Sequence, residues 1–185
     1  MSDNNAIARP DLAEALKTAD LLHDRARLEN AIAAMGREID AALNGEVPLF
    51  LTVMNGGLIF AGALTLAITG DLELDYVHAT RYRSGTSGRE LTWIKHPRAS
   101  LSGRTVLLAD DILDEGYTLK AIRDFCLEQG ARRVLIAVLC EKNHGRTAAG
   151  IRADFVGVQV PDRYVFGFGM DYYEQGRNLP GIYAI

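Results

Sequence analysis

A chain of 185 residues, 48% apolar and 24% charged, can bury one sizeable core and is short for two, so a single domain over 1–185 is expected. A formal net charge of −4 argues against broad electrostatic binding to nucleic acid, and the longest apolar run, Leu58 to Ile68, is too short to span a bilayer. Met1 to Pro10 is polar where a signal peptide needs an apolar stretch, and the two cysteines, Cys126 and Cys140, read as buried thiols, which together point to the cytoplasm.

Leu28, Ile32, Met35, Ile39 and Leu43 recur at spacings of four and three behind a capping Asp24, which predicts an amphipathic helix over 25–43. Residues 48–54 (PLFLTVM) form a short continuous apolar run, closed by Asn55-Gly56-Gly57 and followed by a small-residue stretch over 58–69, so the reading is strand, tight turn, helix. Residues 72–83 and 91–96 read as strands, joined by the polar, glycine-rich 84–88 (SGTSG), which is expected to be a mobile loop. From Thr105 the run TVLLADD is an apolar strand ending in carboxylates; a turn over 112–117 then leads into a helix from about Thr118 to Gln129, with Leu119, Ile122 and Cys126 on its buried face and Gly130 as its stop. Further strands are expected over 134–139, 154–160 and 164–168. Strands alternating with helices imply an α/β fold: a mostly parallel central sheet flanked by helices.

The chemistry is concentrated in 106–119 (VLLADDILDEGYTL). An apolar strand delivers Asp110 and Asp111 at its C-terminal end, and Asp114, Gly116 and Thr118 follow in the turn before a helix, where open α/β sheets bind ligands. The amides of a helix's first turn, with Gly116 allowing close backbone approach and the Thr118 hydroxyl adding a donor, suit a phosphate; two adjacent carboxylates suit ribose hydroxyls or a magnesium-bound polyol. Taken singly, these residues have plainer readings: Asp114 and Thr118 as helix caps, Asp110 and Asp111 as a solvated strand end.

Taken together, the run resembles the phosphoribosyl pyrophosphate (PRPP) signature of the type I phosphoribosyltransferases: four apolar-leaning residues, two acids, two apolar residues, Asp, a small residue, Gly, any residue, Thr. The resemblance extends over most of the chain and is closest to the hypoxanthine-guanine branch. It implies that branch's fold, the sheet and helices above with a small hood from the N- and C-terminal segments. It also implies PRPP binding by Asp110, Asp111, Asp114, Glu115, Gly116, Tyr117 and Thr118, by a pyrophosphate loop at Asn55, Gly56 and Gly57 preceded by a cis peptide, and by Arg177. Lys142, at the end of LIAVLCEK, matches the lysine that contacts the purine's exocyclic oxygen; an ammonium only donates, so it selects a 6-oxo over a 6-amino group. In 154–180, Tyr164 matches the aromatic that stacks on the base, Val165 the residue whose backbone reads its edge, and Asp171 an acid for magnesium. Tyr82 and Ser84 fall in the family's flexible lid. Three positions depart from the pattern: Glu115 stands for Thr or Ser, Asn55 for a basic residue, and Arg81 for the lid serine.

The resemblance implies transfer of 5-phosphoribosyl from magnesium-bound PRPP to purine N9, with Asp114 as general base or hydrogen-bond acceptor for the N7 proton and release of pyrophosphate. The partners implied are PRPP and a purine base in a homodimer or homotetramer, with no nucleic acid and no membrane. Two alternatives stay open: a xanthine- or guanine-preferring relative, set by contacts on the purine's C2 side, and a PRPP-sensing regulator of the same fold. Against the regulator stand the net charge, the absence of an added DNA-binding region, and Asp114, Lys142, Asp171 and Arg177.

Overall fold

Two aspartates start the first two helices. The side chain of Asp11 accepts from the Ala13 amide to open α1 (Leu12–Thr18), a short strand β1 (Asp20–His23) follows, and Asp24 accepts from the Arg27 amide to open α2 (Arg25–Leu43). The computed structural model describes residues 9–81, 91–147 and 150–185. In α2 the stripe Leu28, Ile32, Met35, Ile39, Leu43 is buried as its periodicity predicts, and Asn44, in the left-handed region at φ 48°, ends the helix. The remaining elements are β2 (Leu49–Met54), α3 (Leu58–Ala67), β3 (Glu73–Arg81), β4 (Leu91–Lys95), β5 (Thr105–Leu113), α4 (Tyr117–Glu128), β6 (Arg133–Lys142), β7 (Phe155–Val160), β8 (Val165–Phe166) and β9 (Ile182–Ala184).

Six strands form the central sheet in the order β4-β3-β2-β5-β6-β7, all neighbours parallel except β4, which runs antiparallel to β3 at the edge. Side chains alternate across it. Phe50, Leu107 and Ala109 pack with α2 and α3 on one face; Leu49, Leu51, Val106 and Leu108 pack with Leu119, Ile122 and Cys126 of α4 on the other. A mostly parallel sheet covered on both faces explains why its central strands read as continuous apolar runs. Both cysteines are free and buried. No helix among the described residues is long and apolar enough to cross a membrane.

The hood is a second, three-stranded antiparallel sheet in the order β1-β9-β8, uniting the two ends of the chain. Sequence patterning does not find α1, β1 or β9, which are too short to establish a period. It also overextends the strand expected over 164–168: β8 stops at Phe166 because Gly167 and Phe168 both take positive φ, 97° and 50°.

The strand and turn boundaries around the motif also need correcting. β5 does not stop at the carboxylates but continues through Ile112 and Leu113, and β6 runs beyond the expected 134–139 to end at Lys142, as the strand reading of LIAVLCEK has it, because Ile112 pairs with Cys140 and Leu113 with Glu141. The turn is therefore 114–116 rather than 112–117, and α4 begins at Tyr117. The expected mobile loop at 84–88, and with it Tyr82 and Ser84, lies outside the described residues.

Candidate active site

The C-terminal ends of β2, β5 and β6 meet at one edge of the sheet, and three segments close on each other there. A Cβ added to Gly56 would lie 1.9 Å from Asp111 Oδ2, and one added to Gly169 would lie 2.1 Å from the Gly56 carbonyl oxygen. At Gly169 the neighbour is backbone and only glycine fits; at Gly56 a side chain would displace the Asp111 carboxylate. The peptide bond Met54-Asn55 is cis, and the turn behind it is tied by Gly57 N–H to Val53 O at 3.0 Å and Leu58 N–H to Asn55 O at 3.2 Å.

A cavity of about 450 Å³ opens at this edge. Its wall includes Gly56, Asp110, Asp111 and the whole of 114–118, with Arg146 and Arg177 as its cations. Asn55 and Gly57 lie in the adjoining turn and do not line it. Gly116 takes φ 77°, which demands glycine, and a Cβ there would press on the side-chain ends of Ile151 and Leu113. No side chain caps α4. Asp114 is thus not a helix cap, and the buried Asp110 is not a solvated strand end, which removes the plainer readings of both.

A second cavity, of about 280 Å³, shares Asp111, Ile112 and Asp114 with the first and adds Lys142, Tyr164, Val165, Met170 and Asp171. Tyr164 donates its hydroxyl to the Asp171 carbonyl at 3.2 Å and stacks on Tyr173, with centroids 5.9 Å apart and planes 10° apart. Arg177 and Asp171, expected to face separate phosphate and magnesium partners, here pair with each other at 2.8 Å, and Arg177 also donates to Gly169 O at 2.8 Å.

The electrostatics separate the three aspartates. Burial, then repulsion from Asp111, pushes Asp110 well above the ordinary carboxylate range. Burial likewise raises Asp111 to about 6, opposed by the Ile112 amide, the Asp110 side chain and Arg177. At Asp114 burial works upward too, yet the group is held below its usual value by hydrogen bonds from Lys142 and His144. These bonds are short: Lys142 Nζ to Oδ2 and His144 Nε2 to Oδ1, both 2.6 Å. Sequence reasoning missed His144 and Arg146, because neither belongs to a motif and both reach the site only through the strand register.

The family match decides what this arrangement belongs to: residues 18–175 match the phosphoribosyl transferase domain. The chain is a member of the phosphoribosyltransferase family. It is 36% identical to the hypoxanthine-guanine phosphoribosyltransferase of Bacillus subtilis over 84% of this chain and 86% of that one. It is 40% identical to the bifunctional protein TilS/HprT of Listeria innocua, covering 84% of this chain but only 24% of that much longer protein. In structure it superposes on a hypoxanthine phosphoribosyltransferase of Staphylococcus aureus with a TM-score of 0.84 at 29% identity, over 90% of both chains. The type I phosphoribosyltransferase fold accounts for the location of both cavities at the C-terminal ends of parallel strands. Glu115 is exposed and lines the first cavity.

Proposed function

We propose that this phosphoribosyltransferase transfers the 5-phosphoribosyl group of PRPP to N9 of a 6-oxopurine, hypoxanthine or guanine, in purine salvage. The observation that carries this reading is the adjoining of the two cavities: a glycine- and amide-lined one for phosphates and one with Lys142 and Tyr164 for a base, sharing Asp111, Ile112 and Asp114. The anomeric carbon then lies between them.

In this reading the 5′-phosphate rests on 114–118, the ribose hydroxyls on Asp110 and Asp111, and the pyrophosphate beside Gly56 and Arg177, with Asn55 and Gly57 shaping that loop. Tyr164 stacks on the purine, the Val165 backbone reads its edge and Lys142 donates to its 6-oxo oxygen. N9 bonds to C1′ as the bond from C1′ to the pyrophosphate oxygen breaks, and the N7 proton passes to Asp114.

The donor set fits magnesium. Among the described residues no group of three or more His, Cys, Asp or Glu forms a protein-only metal cage, and magnesium typically takes one or two carboxylates and completes its shell with substrate oxygens and water. Asp171 would hold it, with Asp111, whose carboxyl feels the Asp171 charge, close by. When bound it neutralises charge on the departing pyrophosphate.

The assembly in this reading is a homodimer or homotetramer, supported by exposed apolar side chains such as Leu58 and Leu66 of α3. Pyrophosphate release from PRPP with hypoxanthine, guanine and xanthine, measured side by side, tests the function: release with none of them refutes it, and release with xanthine alone, or with xanthine and guanine but not hypoxanthine, moves the chain to the other base preference.

A further inference from the structure

Transfer as read above makes two demands on Asp114. It must keep one oxygen aimed at the purine N7 proton, and it must do so after Lys142 has turned from Asp114 to the base's 6-oxo group. In the structure Lys142 holds Oδ2 at 2.6 Å and His144 holds Oδ1 at 2.6 Å, so once Lys142 leaves, the grip on Oδ1 remains.

His144 is itself held from behind. Its Nδ1 accepts the Arg146 backbone N–H at 3.0 Å, which requires a lone pair there and leaves the ring proton on Nε2, pointing at Asp114. The His144 side chain is only 4% exposed. On either side its segment is anchored, by Asn143 N–H to Val160 O at 3.0 Å and by the Arg146 guanidinium to both oxygens of Asp162 at 2.7 Å. The chemistry of the donor also fits. A second cation on Asp114 would keep it too acidic to take a proton, whereas a neutral N–H fixes the carboxylate while letting its basicity recover when Lys142 departs.

We propose that His144 is a positioning residue for the transfer: its neutral Nε2–H locks Asp114 Oδ1 so that Oδ2, vacated by Lys142, faces the purine N7 proton. This rests on the reading of Asp114 as the proton acceptor.

The test is steady-state kinetics with PRPP and hypoxanthine for the wild type, H144A, H144Q, D114N and the D114N/H144A double variant, with a thermal melt of each. H144A should lose roughly ten- to a hundredfold in kcat, as for one lost hydrogen bond to a charged group, with the KM for PRPP changed by less than about threefold. H144Q, whose amide N–H can stand near the place of Nε2–H, should recover most of that loss. In D114N, with no proton acceptor left to orient, H144A should cost less than about a further threefold. Should H144A not melt cooperatively, H144M, of similar bulk and with no donor, takes its place in both backgrounds. Unchanged kcat in H144A, an H144Q as slow as H144A, or losses that multiply in the double variant each overturn the proposal while leaving the 6-oxopurine reading intact. A wild type that releases no pyrophosphate with any 6-oxopurine overturns both.

Discussion

Lys142 and Asp114 stand side by side because β5 and β6 run in register: Leu113, the last residue of β5, pairs with Glu141, and the residue after each carries a charge, Nζ lying 2.6 Å from Oδ2. In the proposed reading the ammonium turns from this carboxylate to the purine's 6-oxo oxygen, so a base that offers an acceptor there is favoured. Adenine offers two N–H donors instead. A buried, mismatched polar contact costs about 1 to 3 kcal/mol, which sets discrimination against adenine at roughly tenfold to over a hundredfold. Lys142→Gln, able to donate or accept, should lower kcat/KM for hypoxanthine and narrow the gap to adenine. Efficient use of adenine by the wild type would remove Lys142 from base selection.

Asp114→Asn keeps the shape of the side chain but is a poor proton acceptor. Its kcat should fall by roughly a hundredfold or more, far beyond any rise in the KM for PRPP. Near-normal turnover would exclude Asp114 as the acceptor.

PRPP with magnesium should raise the thermal midpoint, since a ligand that binds only the folded state stabilises it by mass action. For a chain of this length a hundredfold excess over Kd is worth roughly 5 to 10 °C. A midpoint that does not move with both present would show that the first cavity is not a PRPP site.

Asp111→Asn should make the unliganded protein more stable while weakening PRPP binding. Burial raises Asp111 to about 6, above the ordinary carboxylate value it has when unfolded, so ionising it costs more in the folded state. Its contribution is fully favourable only below about pH 4 and is lost as pH rises through about 6. The variant should therefore melt a few degrees higher than wild type at pH 7.5, with the gap closing toward pH 4. Thermal melts across that range check it, and a gap independent of pH would mean that Asp111 is not held ionised against burial.

The periodic and continuous apolar segments were legible without coordinates. The stripe Leu28 to Leu43 and the run at 49–54 announce a helix and a buried strand because burial on one face, or on two, imposes its own spacing on the residues. Segment 106–119 was equally legible as a candidate ligand loop, since glycine, acid and threonine at fixed offsets reflect backbone approach and are local properties. The hood strands β1 and β9 were not, because four- and three-residue strands are held by pairing with each other across almost the whole chain rather than by any local preference.

By itself, then, the sequence determined the types of the longer elements, the mostly parallel sheet and the segments that carry the candidate site, all of which follow from spacing within a few turns of chain. Tertiary structure alone decided which side chains meet: Asp114 with Lys142 and His144, Arg177 with Asp171, and Gly56 against both Asp111 and Gly169. Those contacts join residues 6 to 113 positions apart, and no local pattern encodes them, because strand register and the crossing of connections at the sheet edge are settled by packing the whole core at once.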